Sequence, residues 1–373
     1  MNLKVKKKNN QNNIKFGCYI YQDGLRYKDV LRITLECERL GYDSIWLKDN
    51  FIPWIQDYLV SRLNNNNNAK RRSLPKNQYP QHQLNQLQQY QEPHESRVML
   101  ECWTVLSSLV ALTRKIKLGA ILVNPYRNPA IVAKMATTLD NISNGRLELG
   151  LSAGWYQKEA KAYGVAFPPG STRVEMLKES IIIIRKMLDS SNNIKNNVYT
   201  KLSFKGKYYN ISNAECNPKP IQKPYLPIWI GGGGEKTLEI VAKYADGWSY
   251  GLCSFDEYLK KISLLKHYYN DDDNNNKVTA RNYKDIIRGW HGILFLGKDE
   301  EELKKRKINV LDKKGKWKGS NLIISGTPNT ILNEITRYLN IGVTYFTIHF
   351  PDLPDTRSLQ LFAEHIIPNV RSI

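Results

Sequence analysis

The sequence predicts a single (β/α)₈ barrel, and three observations carry that prediction. Short β-rich runs alternate with amphipathic helical stretches along most of the chain, the pattern of a parallel sheet covered by helices. Eight strand–helix units follow one another in order, whereas an open doubly wound sheet usually needs fewer strands. The 373 residues also fall within the roughly 200 to 400 residues that one α/β barrel occupies.

Each element has its own reason. The first strand is Ile14 to Ile20 (IKFGCYI). A helix from about Tyr27 to Leu40 places Val30, Ile33, Leu35, Cys37 and Leu40 largely on one side, and Gly41 ends it. Ser44 to Lys48 reads as the second strand, closing on Asp49. A helix from Met99 to Thr113 leads into the strand Lys115 to Val123, and Pro129 opens a helix through Ala130 to Ile142. Leu147 to Gly154 (LELGLSAG) is the fourth strand.

The region from Trp155 to Pro227 is long for one crossover, with a strong helix at Arg173 to Leu188 and a β-like piece, KYYNI. It reads as an elaborated connection after strand four. Strands five to eight are Pro227 to Gly234, Gly247 to Gly251, Gly289 to Gly297 and Thr344 to Phe350, with a closing helix at Ser358 to His365.

Two segments stand apart. Residues 1–13 form a basic tail expected to be flexible, so the barrel domain is 14–373. Residues 57–93 are Asn/Gln-rich, with NNNNN and QHQLNQLQQYQ. Such a tract buries too little apolar surface to offset ordering entropy and reads as a surface insertion after strand two.

Composition excludes several classes. Hydrophobic residues make up 41% of the chain, enough for a core, and no apolar run is long enough to span a membrane. No apolar segment of signal-peptide length follows the basic start. The five cysteines, at 18, 37, 102, 216 and 253, are odd in number and never spaced as CxxC. This predicts a reducing, cytoplasmic setting without disulfides. The six histidines form no metal-ligand pattern, so no metal site is expected. The formal charge of +20 is concentrated at Lys4 to Lys8, Lys70 to Arg72 and Lys304 to Lys318. Without a nucleic-acid-binding signature, it reads as a solvated surface that attracts anionic ligands rather than a nucleic-acid site.

Barrel chemistry sits at the carboxyl ends of strands. IGGGGEKT runs from strand five into a helix, and Gly231, Gly232, Gly233 and Gly234 expose backbone N–H groups at that helix's amino end, suited to phosphate. It is neither a P-loop nor GxGxxG. Ser152, Ala153, Gly154 and Trp155 pair small residues with an aromatic wall at the end of strand four. NPYRNP, from Asn124, makes a stiff loop after Val123. Asp49 ends an apolar strand as a candidate ring or substrate contact, and His291 and His349 lie in strands as candidates for proton transfer or for core packing.

Together YRNPAIVAKMATTLDNISNGRLELGLSAGW, AYGVAFP, CNPKPIQKPYLPIWIGGGGEKTL and KYADGW resemble the luciferase-like monooxygenase superfamily, most closely its coenzyme F420-dependent oxidoreductase branch. The resemblance runs from about Ile14 to Phe350 and is weaker over the insertion and Phe255 to Arg288. It implies a TIM barrel assembled as a homodimer, with a deazaflavin or flavin in its mouth. It implies a non-proline cis peptide at Val123–Asn124 supporting the ring, Asp49 as a ring or substrate contact, and the cofactor tail on Gly231 to Gly234 with Ser152 to Trp155. Related sequences commonly read Asp-His at the end of strand two, where this chain reads Asp49-Asn50. Asparagine cannot relay protons, so the general acid or base is not assigned and Asp49 is the one weak catalytic candidate. The expected function is F420-dependent hydride transfer to or from a small organic substrate. The alternatives are an FMN- and O₂-dependent monooxygenase and a noncatalytic binding barrel.

Overall fold

The computed structural model describes residues 14–53, 98–189, 194–195, 198–199, 201–223, 225–270, 281–313 and 323–372. The basic tail and the Asn/Gln-rich tract at 57–93 lie outside them. The first half of the barrel consists of β1 (Lys15–Ile20), α1 (Tyr27–Arg39), β2 (Ser44–Lys48), α2 (Cys102–Leu112), β3 (Lys117–Val123), α3 (Pro129–Ser143) and β4 (Leu147–Ser152). The elaborated connection follows, with α4 (Gln157–Ala162), α5 (Gly170–Leu188), the short pair β5 (Ile194–Lys195) and β6 (Val198–Tyr199), and the hairpin β7 (Leu202–Lys205) and β8 (Asn210–Ala214). The second half comprises β9 (Ile228–Gly231), α6 (Glu235–Tyr244), β10 (Gly247–Gly251), α7 (Phe255–Asn270), β11 (Ile287–Leu296) and α8 (Glu300–Lys313). It ends with β12 (Ile323–Gly326), α9 (Pro328–Asn340), β13 (Tyr345–His349), α10 (Arg357–His365) and α11 (Ile367–Arg371).

Parallel pairing in the order β1-β2-β3-β4-β9-β10-β11-β13 and back to β1 closes a ring of eight strands. The expected barrel is therefore the observed one. β12 was not foreseen. It pairs with the far end of β11, from Ile293 to Leu296, and stands outside the ring.

The prolines of NPYRNP divide its work. The first opens a 3₁₀ turn at Asn124–Tyr126, and the second is the first residue of α3, where the Asn128 side chain accepts the Ala130 N–H at 2.9 Å. α3 then ends on Asn144 at φ +55° and Gly145 at φ +80°, the left-handed close expected of a helix carboxyl end.

The core has two layers. Outward-facing strand residues such as Phe16, Ile45 and Leu118 pack under the helices. Inward-facing Tyr19, Tyr21, Trp46, Trp229 and Tyr345 fill the lumen. Rings this large fit inside eight strands only where the facing strand carries no side chain. A Cβ on Gly119 would stand 2.7 Å from the Trp46 ring, and one on Gly247 would stand 2.3 Å from Trp229. Polar ends of these rings are satisfied at the floor. Trp229 Nε1 donates to Glu148 at 2.6 Å, Glu148 pairs with Lys117 at 2.8 Å, and the Tyr345 hydroxyl donates to Ser44 at 2.8 Å. The lumen is thus plugged below, and in barrels of this kind ligands sit at the strands' carboxyl ends.

Candidate active site at the barrel mouth

One arc of the mouth is made of small residues. Val123, Ser152, Gly231 and Ser249 sit in direct register across β3, β4, β9 and β10. Beyond β9 the chain must turn sharply. Gly232 takes φ +126°, a conformation L side chains rarely adopt, and its carbonyl accepts from Trp248 Nε1 at 2.8 Å. Gly233 lies so close to Tyr250 that a Cβ would meet the ring at 2.4 Å. Gly234 then caps α6 with no side chain over the helix's amino end, leaving the first-turn N–H groups to a ligand or water.

The SAGW segment completes this arc. Arg173 donates to the carbonyls of Ala153 and Gly154, both at 3.2 Å, and stacks 3.8 Å over Phe167. Gly154 adopts φ +77°, and a Cβ there would stand 2.9 Å from Val123 Cγ1. Trp155 lies at the edge, 45% exposed and stacked on Tyr156 at 4.9 Å.

The opposite arc is aromatic and titratable. The Tyr21 hydroxyl and His291 Nε2 are 2.7 Å apart, and His291 Nδ1 faces the Thr347 carbonyl at 3.2 Å and its hydroxyl at 3.3 Å. Burial pushes His291 down to about 4. His349 stacks on Tyr21 with centroids 4.0 Å apart. Lys48, which strand alternation points inward with Ser44 and Trp46, is buried and ion-paired with Asp23; its burial pushes the ammonium down to about 8.

Asp49 points the other way from Lys48. Its side chain has no exposed surface, Arg127 binds both of its oxygens at 2.7 and 2.9 Å, and the Val123 N–H donates to it at 2.8 Å. Burial pushes the Asp49 carboxyl up, and the Arg127 charge opposes that. For Arg127 the order reverses: burial disfavours its charge, but Asp49 and Glu101 together hold it above the ordinary range. Asp49 therefore reaches a ligand only through the β3 end that it holds. The Val123–Asn124 peptide is not among the cis bonds of the described residues, which are Asn217–Pro218 and Leu353–Pro354. This corrects the expected cis peptide: the Asp49 carboxylate fixes the Val123 N–H, and the chain enters the 3₁₀ turn directly. Asn124 is buried and donates its side-chain amide to the Tyr209 hydroxyl at 3.1 Å, tying the mouth to the β7–β8 hairpin.

Asn50 has a structural role. Its amide donates to Glu159 at 3.0 Å, and Glu159 also accepts the N–H groups of Phe51 and Ile52 and the Tyr126 hydroxyl. The structure thus brings together Val123, Ser152 and Gly231 to Gly234, with Ala153, Gly154 and Trp155 adjoining. It places Asp49 behind the β3 end and Asn124 under the hairpin. Sequence reasoning missed Tyr21, Lys48, Arg127, Glu159 and Thr347. The alternating Tyr19 and Tyr21 at the end of β1 were the one available signal. Among the described residues no His, Cys, Asp and Glu cluster could hold a metal, and no helix is long and apolar enough to cross a membrane.

The family model for luciferase-like monooxygenases matches residues 85–306, more than half of the chain, and the protein belongs to that family. Relatives use two cofactors. The chain is 23% identical over 375 residues to an F420-dependent glucose-6-phosphate dehydrogenase of Amycolatopsis mediterranei (strain U-32), covering 93% of this chain and 95% of that protein. It is 24% identical over 305 residues to an FMNH(2)-dependent dimethylsulfone monooxygenase of Pseudomonas putida, covering 73% and 79%. In fold it is similar to an F420-dependent secondary alcohol dehydrogenase solved with an F420-acetone adduct, with a TM-score of 0.70 and 18% identity over 96% of this chain and 99% of that one.

Proposed function

We propose that the protein is an oxidoreductase that binds coenzyme F420 in the barrel mouth and transfers hydride to or from a small organic substrate. The carrying observation is the cradle formed by Val123, Ser152, Gly231 and Ser249 beside the open amino end of α6. A flat ring fits against an arc without bulky side chains, and a phosphate fits the N–H groups after Gly234. Ala153, Gly154 and Trp155 would flank the tail, with Arg173 keeping the first two carbonyls fixed. When bound, F420 supplies a carbon centre that accepts or donates hydride. The protein binds and orients it, excludes water, and manages the accompanying proton.

The choice of F420 over FMN rests on the near full-length similarity to the F420-dependent dehydrogenase, against the shorter span shared with the dimethylsulfone monooxygenase. The basic balance of the chain suits an extended anionic tail. Titration with F420 and FMN, each oxidised and reduced, tests this by fluorescence or calorimetry. Tight F420 binding with weak FMN binding is expected. Preference for reduced FMN would move the protein to the O₂-using monooxygenases, and binding of neither would leave a noncatalytic barrel. Exposed Leu112, Ile131 and Ile142 on α2 and α3 support a homodimer, which sedimentation would test. The five free, buried cysteines support a cytoplasmic setting.

A further inference from the structure

The geometry points to Arg173 as the positioning residue for the cofactor's phosphate: it holds the turn after β4 so that backbone N–H groups of that turn meet the anion. This rests on the F420 reading above, and it carries over to any phosphate-bearing flavin in the same cradle.

Arg173 is half-buried at the end of the first turn of α5. Its guanidinium donates to the carbonyls of Ala153 and Gly154, both at 3.2 Å, and to that of Pro168, with Phe167 stacked against it. Among the described residues no carboxylate pairs with it, and burial pulls it below the ordinary arginine range unopposed. Other half-buried arginines are paired: Arg127 with Asp49, Arg185 with Asp246 and Arg306 with Asp352. Arg146 and Arg288 also grip carbonyls, but at Val110 and Thr113 closing α2 and at Gly342 just past α9, where helix ends supply negative charge. Arg173 stands instead at a positive helix end, since the first turn of α5 has no acidic residue. The next carboxylates along α5 are bound to the hairpin. Lys207 and Tyr208 hold Glu175, and the N–H groups of Lys207, Tyr208 and Tyr209 hold Glu179. Cation and helix end therefore add to one another, an arrangement adverse alone and favourable beside an anion.

The held carbonyls fix where the donors of the turn point. In a trans peptide the N–H lies opposite the C=O, and neither peptide that Arg173 grips is among the cis bonds of the described residues. The Gly154 N–H shares a peptide with the Ala153 carbonyl, and the Trp155 N–H shares one with the Gly154 carbonyl. Both N–H groups are therefore turned away from the guanidinium. The Gly154 N–H has no protein partner among the described residues. A donor held in place and left open in this way takes its acceptor from outside the chain.

The turn lies beside the other open donors of the mouth. Ser152 and Gly231 are in direct register on β4 and β9, so the segments that leave them are neighbours at the rim. There α6 opens without a side-chain cap, and its first turn carries Glu235 and Lys236, which offset each other. One anion with several oxygens can take the Gly154 N–H on one side and the α6 N–H groups on the other. The Arg173 charge stands behind the turn and favours that anion without touching it. A phosphate meets these terms, being charged at neutral pH with acceptors in several directions. Arg173 therefore acts on the phosphate end of the cofactor and leaves the ring alone.

Two measurements on the full chain test this. The first titrates F420 against its deazaflavin core, which carries the ring but neither phosphate nor tail. Arg173→Gln should weaken F420 binding by about 10-fold to 100-fold, the worth of hydrogen bonds to a charged group. The dissociation constant of the core should stay within about threefold of wild type. Arg173→Lys keeps the charge but cannot span both carbonyls, and should regain less than about half of the lost binding free energy. Equal weakening of F420 and core would make Arg173 a support of the whole mouth, and full recovery with lysine would make it a plain counter-charge; either overturns the positioning role. The second measurement needs no variant. Ala153–Gly154 is the only Ala–Gly step in the sequence, so carbonyl-labelled alanine with nitrogen-labelled glycine shows the Gly154 amide alone by NMR. F420 should move that amide proton downfield and the core should not. An amide that answers to both alike, or stays still while F420 binds, would overturn the inference. Wild type that prefers FMN would remove the F420 reading, and the same comparison between FMN and riboflavin would then decide the role of Arg173 separately. Wild type that binds none of the four would sink both.

Discussion

From β3 round to β10 the mouth presents Val123, Ser152, Gly231 and Ser249, whereas from β11 round to β2 it presents His291, His349, Tyr21 and Lys48. The first arc is defined by what is missing, and it offers a ligand mainly backbone. The second offers side chains whose hydrogen bonds and ion pairs run from strand to strand. An added methyl group damages the first arc by collision. The second is damaged by the loss of a single atom.

The largest expected effect lies where the arcs join. Asp49 sits on β2, beside the second arc, and holds Val123 at the edge of the first. Asp49→Ala leaves Arg127, only 15% exposed, with Glu101 as its remaining carboxylate. Removing one partner of a buried pair costs about 3–5 kcal/mol, so denaturant unfolding should show a loss of that order. F420 affinity should fall as well, because the β3 end loses its anchor. A loss below about 1 kcal/mol would mean the arcs are independent.

Next comes a test of collision on the first arc. Gly154→Ala would combine a left-handed backbone at φ +77° with a Cβ 2.9 Å from Val123, whereas Gly41→Ala has φ +78° and nothing within 4 Å. The backbone cost alone is about 1–2 kcal/mol. Gly154→Ala should exceed Gly41→Ala by about 1 kcal/mol of overpacking in thermal unfolding and should alone weaken F420 binding. Equal effects would show that the SAGW segment is shaped by φ and not by space.

The two arcs also differ in how far they could be read from sequence. Strand–helix alternation revealed all eight ring strands, because period and turn residues are local. Glycine runs at strand ends revealed Gly231 to Gly234 and Gly154, because a residue without a side chain states its backbone requirement directly. On the second arc the sequence pointed to His291 and His349, but Tyr21, Lys48 and the Asp49–Arg127 pair were hidden, because their contacts join distant parts of the chain. Asp49 was read as facing the ligand because it ends a strand, but alternation from Trp46 and Lys48 turns it outward. β12 escaped notice because four residues outside the ring carry little periodic signal.

A pH titration sharpens the second arc. His291 is lowered from 6.5 to about 4, so between those values the unfolded chain binds a proton that the folded protein refuses. Stability therefore rises with pH across this window and falls as pH drops from 6.5 towards 4, by about 2 kcal/mol given the partial exposure of the residue. In His291→Gln this component of the slope should vanish between pH 6.5 and pH 4 in urea melts. A slope unchanged from wild type would show that the imidazole titrates near its ordinary value in the folded protein.

The smallest effect is expected at Trp155, a large, half-exposed side chain on the edge of the small-residue arc. It is 45% exposed and rests on Tyr156 rather than in the core. Trp155→Ala should therefore change stability by less than about 1 kcal/mol, because little area is lost from burial. If the indole walls the cofactor tail, the same change should raise the F420 dissociation constant by about 5-fold to 10-fold, equivalent to the roughly 1 kcal/mol that one stacked aromatic contact contributes. A dissociation constant unmoved by Trp155→Ala but weakened by Gly154→Ala would reduce this arc to its backbone. Loss in both would give it one side chain with a binding role, and the contrast between the arcs would then hold for the ring and not for the tail.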